Sequence, residues 1–227
     1  MKLTYFGHSC VQIDIAGKAV LIDPFITPNE KAASVDVKAL RPDVILVTHG
    51  HQDHMADAAA IAQQSDARLI SNFEVATWFQ SNGVENSHPM NHGGTVVIED
   101  ALKVKYVNAI HSSVLPDGTY GGNPGGFVLF DDSEAFYHSG DTALTYDMKL
   151  IADEFNLKAA ALCVGDNFTM GARDAAIAAE WINCEEIVGI HYDTFPPIQI
   201  DHEAARAAFS ARSRHLYLLN IGESKEF

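Results

Sequence analysis

The sequence predicts an α/β protein whose sheets are covered on their outer faces by helices. Three observations lead there. Short β-type apolar runs recur from residue 3 to residue 220, breaker-free helical stretches fall between them in both halves, and no stretch has the composition of an interdomain linker.

Residues 3–6, 11–15 and 19–22 read as strands, separated by Gly7-His8-Ser9 and by Ala16-Gly17-Lys18, where Gly17 tolerates the positive φ of a hairpin. Asp23-Pro24 ends the third run, and the polar, mixed stretch 26–38 reads as an excursion over the surface. Residues 44–47 are a short buried strand. The alanine-rich segment 55–64 predicts a helix, 68–70 a strand, and 73–80 a helix closed by Asn82-Gly83. Strands follow at 95–98, 104–107, 127–130 and 135–137. A helix over 144–155 precedes the buried strand 159–164. The remainder alternates: helix 173–182, strand 187–190, helix 203–212, strand 216–220. No glycine-rich loop joins a strand to a helix as a nucleotide fold requires. The whole chain, 1–227, reads as one domain.

Composition narrows the function. A hydrophobic content of 47% with 20% charged residues is that of a globular protein with a sizeable core. The formal net charge of −15 and the lack of any Lys/Arg run argue for no nucleic acid and no anionic membrane as partner, leaving a small-molecule substrate. No apolar window approaches membrane-spanning length, and residues 1–10 have no apolar run of signal-peptide type. Three cysteines, Cys10, Cys163 and Cys184, are odd in number with no CxxC spacing, which suits buried thiols in a reducing cytoplasm.

Chemistry concentrates in residues 44–54, VILVTHGHQDH. The chain leaves a strand at Thr48 and presents His49, His51, Asp53 and His54 within six residues. Imidazole and carboxylate suit a borderline divalent cation such as zinc, and alternation puts His49 and His51 on one side. Asp53 and His54 then turn away, so one loop can serve two adjacent ions. At this composition the pattern arises by chance in about two chains per thousand. The competing reading is a polar surface loop, but such loops rarely concentrate imidazole. Three other β-type runs end the same way: 106–110 runs into His111, 136–138 into Gly140-Asp141, and 187–190 into His191.

His49-x-His51-x-Asp53-His54, a later His, a Gly-Asp pair and a final His resemble, in order, the metallo-β-lactamase superfamily. Gly7-His8-Ser9, Leu21-Ile22-Asp23-Pro24 and Phe168-Thr169-Met170-Gly171 resemble its branch of L-ascorbate-6-phosphate lactonase-like proteins, small metal-dependent hydrolases. The resemblance implies a four-layered αβ/βα sandwich with metals at one edge. It implies that His49, His51 and His111 hold one ion, that Asp53, His54 and His191 hold a second, and that Asp141 bridges the two. A nitrogen-rich site with carboxylate suits Zn2+, with Mn2+, Fe2+ and Ni2+ chemically admissible, and the resemblance is compatible with a homo-oligomer. Two ions would share a hydroxide oriented by Asp53, taken as the catalytic residue, to cleave an ester, lactone, amide, thioester or phosphodiester.

Further residues are expected near the site. By the same resemblance His8 faces it or supports it from behind, the alternative being a turn residue satisfied by backbone. Asp23 would hydrogen-bond the histidine loop from behind, or cap the turn before Pro24. Asp166, Asn167 and Thr169 either line the pocket or cap the following helix, and Thr194 is a pocket-wall candidate. His138 is assigned a packing role below the site, and His88, His92, His202 and His215 ordinary surface or loop roles. The stretch 116–126, PDGTYGGNPGG, carries five of the 16 glycines and reads as a flexible lid or a long turn. The rival function is a metal-bound scaffold without turnover that binds a ligand or protein. A di-iron redox protein would favour Glu at the place of His51 and would need a flavin domain.

Overall fold

The computed structural model describes residues 1–99 and 101–227. In the first half β1 (Lys2–Gly7), β2 (Cys10–Ile15), β3 (Lys18–Ile22), β4 (Val44–Leu46), β5 (Arg68–Asn72) and β6 (Ser87–Met90) alternate late with α1 (Gln52–Met55), α2 (Ala58–Ser65) and α3 (Phe73–Ser81). The second half holds β7 (Thr95–Ile98), β8 (Leu102–Asn108), β9 (Gly125–Phe130), β10 (Ala135–His138), α4 (Met148–Glu154), β11 (Ala159–Cys163), α5 (Ala172–Trp181), β12 (Glu186–Ile190), α6 (His202–Ser210), β13 (His215–Tyr217) and β14 (Ser224–Glu226).

Two seven-stranded sheets result, with orders β14-β1-β2-β3-β4-β5-β6 and β13-β12-β11-β10-β9-β8-β7. Each begins as an antiparallel meander and continues as parallel strands joined by helical crossovers: β3 to β6 run parallel in the first sheet and β10 to β13 in the second. Strand alternation explains the layering. Val20, Ile22, Val44, Leu46 and Ile70 enter the core shared with the second sheet, whereas Leu21, Ile45, Val47 and Leu69 pack with Ile61, Val75 and Phe79 under α2 and α3. On the outer face of the second sheet, α5 and α6 bury Ala175, Ala178, Ala179, Ala205 and Phe209. The expected αβ/βα sandwich is the observed architecture.

Several boundaries differ for local reasons. The single helix expected over 55–64 is two, because Asp57 is taken out of the helix. Its N–H donates to the Pro24 carbonyl at 3.0 Å, and its Oδ2 accepts Ile26 N at 2.7 Å and Thr27 N at 2.8 Å. Helix α4 starts at Met148 rather than 144, and Asp147 Oδ2 instead accepts Asn108 Nδ2 at 2.6 Å. Two strands have no apolar signal: β6 carries Pro89 at a sheet edge, where the missing N–H is tolerated, and β14 is the polar Ser-Lys-Glu. The glycine-rich stretch is a pinned hairpin. Val114 pairs with Tyr120, Asn72 Nδ2 donates to the Gly121 and Asn123 carbonyls, and Trp78 Nε1 donates to Asp117 at 2.8 Å.

Candidate metal centre

The C-terminal ends of β4, β8, β10 and β12 lie at one edge of the two sheets, and each is followed by a His- or Asp-bearing loop. The sheets are joined there by Tyr106, whose hydroxyl donates to Thr48 O at 2.8 Å, and by Gly125 N, which donates to the same carbonyl at 3.2 Å. Several non-glycine backbones near this edge take left-handed angles, among them His8 at φ 54°, Asp23 at 47° and His191 at 55°. Such conformations are held only where surrounding structure compensates them, and they gather at functional sites.

Two sets of donors converge. His49, His51 and His111 place ring nitrogens within 4.8 Å of one another, and His8, Asp53, His54 and His191 form a second set on the same criterion. Asp141 lies between the sets. Its Oδ2 is 2.9 Å from His191 Nε2, 3.3 Å from His54 Nε2 and 3.6 Å from His111 Nε2, and it also groups with His49. Residues from four distant stretches of chain thus meet around one carboxylate.

Asp23 sits completely buried behind the histidine loop. Its Oδ1 accepts Thr48 N at 2.8 Å, and its Oδ2 accepts the Thr48 hydroxyl at 2.7 Å and lies 2.8 Å from His54 Nδ1. With its proton given to Asp23, Thr48 Oγ1 can only accept from His49 Nδ1, 3.0 Å away. That tautomer leaves the lone pair of His49 Nε2 facing His51 and His111. On the other side, a carboxylate only accepts, so His8 Nε2 must carry the hydrogen toward Asp53 Oδ2 at 3.2 Å. His8 Nδ1 then accepts from the Thr194 hydroxyl at 2.9 Å.

Electrostatics separate the rings. Burial pushes His8 down to about 4 and holds His49, His51 and His111 below the usual imidazole range, so these four rings are neutral at pH 7. Burial also opposes a charge on His54, but Asp141 and Asp23 on either side outweigh it and hold its pKa well above the ordinary value. Burial alone would raise Asp53 and Asp141, but neighbouring rings, His8 and His54 for the first and His54 and His191 for the second, hold both below the usual carboxylate range.

The donors fit divalent cations. His54 Nε2, Asp141 Oδ1 and His191 Nδ1 are buried without a hydrogen-bond partner, although His54 Nε2 lies close to Asp141. Clustered neutral imidazoles with ionised carboxylates are the donor chemistry of such ions.

A family model described as the β-lactamase superfamily domain matches residues 2–191. The chain belongs to the β-lactamase superfamily. Among relatives in that superfamily, the UPF0173 metal-dependent hydrolase of Flavobacterium johnsoniae is 50% identical over 226 residues, covering 100% of both chains. A metallo hydrolase from the hyperthermophilic archaeon Ignicoccus hospitalis has a solved structure similar to this one. The TM-score is 0.88 at 32% identity, covering 100% of this chain and 98% of that one. An isothiocyanate hydrolase from Delia radicum gut bacteria shares the fold, with TM-score 0.79 and 22% identity over 100% of this chain and 99% of that chain. This member of the superfamily is a metal-dependent hydrolase. No helix among the described residues is long and apolar enough to cross a membrane.

The other expected residues are placed as follows. Thr194 meets the site through its hydroxyl, 2.9 Å from His8 Nδ1. Asp166, Asn167 and Thr169 do not cap α5, whose N-cap is Gly171 with no side-chain bond. Asp166 instead accepts Asn167 N at 2.8 Å, in a loop closed by the Gly165–Gly171 bridge, and lines a cavity of about 550 Å³ with Arg173 and Asp201. Among the described residues, no hydrogen bond joins these three to the metal-type donors. His138 accepts Gly140 N at Nδ1, so its Nε2–H donates to Ser9 O at 3.1 Å, tying the Asp141 turn to the His8 turn. His92 stacks on Tyr106 with ring centroids 4.8 Å apart. Sequence reasoning missed Thr48, although it directly precedes His49. It also missed Ser113, whose Oγ accepts Gly50 N at 3.0 Å and donates to Gly121 O at 2.8 Å.

Proposed function

We propose that residues 1–227 act as one domain that hydrolyses a small ester, lactone or phosphodiester with two divalent ions, Zn2+ by preference. His49, His51 and His111 would hold one ion, Asp53, His54 and His191 the other, with Asp141 shared. The observation that carries this reading is the position of Asp141, within 3.6 Å of rings from both donor sets. Such ions, when bound, lower the pKa of water toward ~7 and polarise the electrophile. The chain supplies orientation. Asp23 and Thr48 fix the His49 tautomer, and His8 holds one oxygen of Asp53, leaving the other for an ion or for the water it orients. To serve as a donor to such an ion, His54 would first have to lose the proton held between Asp23 and Asp141. Three buried free cysteines support a reducing compartment such as the cytoplasm.

Metal analysis of protein purified without added metal, paired with an ester, lactone and phosphodiester panel, tests the reading. Two equivalents of metal and chelator-sensitive turnover are expected. Bound metal with no turnover across the panel would favour the scaffold reading instead.

A further inference from the structure

We propose that the substrate carries an uncharged apolar group next to the bond that is cleaved, and that this group rests on a hydrophobic rim around the metal-type donors. The inference deepens the hydrolase reading and depends on it.

Two independent features of the same loops lead to this. The first is exposed apolar surface. Ile110, Val114, Tyr120 and Phe168 are 53%, 45%, 62% and 54% exposed, and all four lie on loops that carry or adjoin the donors. Ile110 precedes His111, and its backbone is held on both sides of Thr142 and Ala143, at 3.0 Å and 3.1 Å. Met170 N donates to Thr142 O at 2.9 Å, which brings the Phe168 loop beside the same turn. Val114 and Tyr120 face each other across the hairpin whose base packs on Gly50, between His49 and His51. Phe195 continues the apolar wall, with its ring 5.5 Å from that of His8. Hydrophobic side chains held exposed at a catalytic edge mark a surface made for an apolar ligand.

The second feature is charge. The loops 7–10, 23–29, 48–57, 109–124, 139–147, 165–171 and 191–200 contain no Lys or Arg, so all 15 basic residues lie outside them. Lys31, just beyond one loop, is engaged with the Asp193 carbonyl. The N-terminus of α5 offers backbone N–H groups, but the Asp166 carboxylate already lies against Gly171, 3.3 Å from the position a Cβ would take. Metal charge can accept one anionic group at the reacting centre. A second phosphate or carboxylate further along the substrate would find on this face Lys31, held by the Asp193 carbonyl, and Arg173, which shares its cavity with Asp166, Asp174 and Asp201, and would otherwise meet an acidic protein. A phosphorylated lactone therefore fits this site poorly, whereas an alkyl- or aryl-substituted neutral ester or lactone fits it well.

Binding can be measured without turnover. Alkyl hydroxamates from acetohydroxamate to hexanohydroxamate, and the hydroxamate of succinate with its free carboxylate, are titrated calorimetrically into metal-loaded protein. Affinity is expected to rise about threefold per methylene, with the succinyl compound at least about tenfold weaker than butyrohydroxamate. Phe168→Ala and Tyr120→Ala should flatten the chain-length dependence, and Phe168→Lys should narrow the gap to the succinyl compound. A flat chain-length series, a preference for the carboxylate, or no hydroxamate binding would overturn the proposal. So would a rim substitution that changes the oligomeric state without changing the series, since the rim would then join copies of this chain. Hydroxamate binding that follows the expected series, without hydrolysis of any matching ester, would leave the apolar rim standing and remove the hydrolase reading.

Discussion

The two donor sets share one carboxylate but are built differently. His49, His51 and His111 form an all-imidazole set, opened to solvent by the half-buried His51 and His111, and all three rings are neutral. The other set adds Asp53, has the aromatic rings of Phe25 and Phe195 against its His8, and contains in His54 a ring held charged between two buried carboxylates. Without metal, the first set therefore offers neutral rings, whereas the second holds a proton on His54. The difference comes from the carboxylates: Asp23 and Asp141 flank His54 at 2.8 Å and 3.3 Å, and Asp23 reaches His49 only through the Thr48 hydroxyl.

Removing what the sets share should have the largest effect. Asp141→Ala is expected to lower kcat/KM by at least about 10³-fold and to reduce bound metal, since activation of water at neutral pH depends on the ions. Full metal content with ordinary turnover would break the pairing of the two sets. Next comes their contrast in the metal-free protein. His54→Ala leaves two buried carboxylates without their counter-charge and should cost about 3–5 kcal/mol, whereas His51→Ala, half-exposed, should stay within about 0.5 kcal/mol. Urea denaturation of chelator-treated variants reads both, and equal losses would mean that His54 carries no proton. Asp23→Asn acts on both sets from behind and should weaken metal binding about 10–100-fold by competition with a chromophoric chelator.

The proton on His54 also sets a pH dependence. Its folded pKa is raised above the unfolded value of about 6.5, so the stability it contributes is complete below that pH and is lost as pH rises through the folded value. Asp53 and Asp141 run the other way, because their lowered pKa values give stability that is present above about 4 and lost as pH falls. Metal-free protein should therefore lose Tm as pH rises above about 6.5, while metal affinity increases over the same range because proton and cation compete. A metal-free Tm that is flat from pH 6.5 to 9 would contradict this. The smallest effect is confined to the second set: Thr194→Val removes the hydroxyl donated to His8 Nδ1 and should cost about 1 kcal/mol.

Much of the site was readable because its spacing is local. HGHQDH places four donors in one turn, and a His or Asp ending a β-type run is a pattern that needs no tertiary knowledge. The fold class was readable for a similar reason: strands buried on both faces, such as Ala159–Cys163, are continuous apolar runs. Strands without apolar character were not readable, since Ser87–Met90 and Ser224–Glu226 exist only because neighbouring strands present unpaired backbone. The broken helix at Asp57 escaped likewise, because propensity favours continuation and only the loop at Ile26 and Thr27 competes for that carboxylate.

By itself the amino-acid sequence determined which residue types were available to bind metal, that they follow buried strands, and that no cationic side chain stands among them. The tertiary structure alone decided their partners: that Asp141 lies between two donor sets, that Asp23 orders His54 directly and His49 through Thr48, and that His8 faces Asp53. These contacts join residues up to 87 positions apart, as for His54 and Asp141. Protonation states follow the same division. A ring's pKa is set by burial and by charges a few ångströms away, and both exist only once the two sheets have closed on each other.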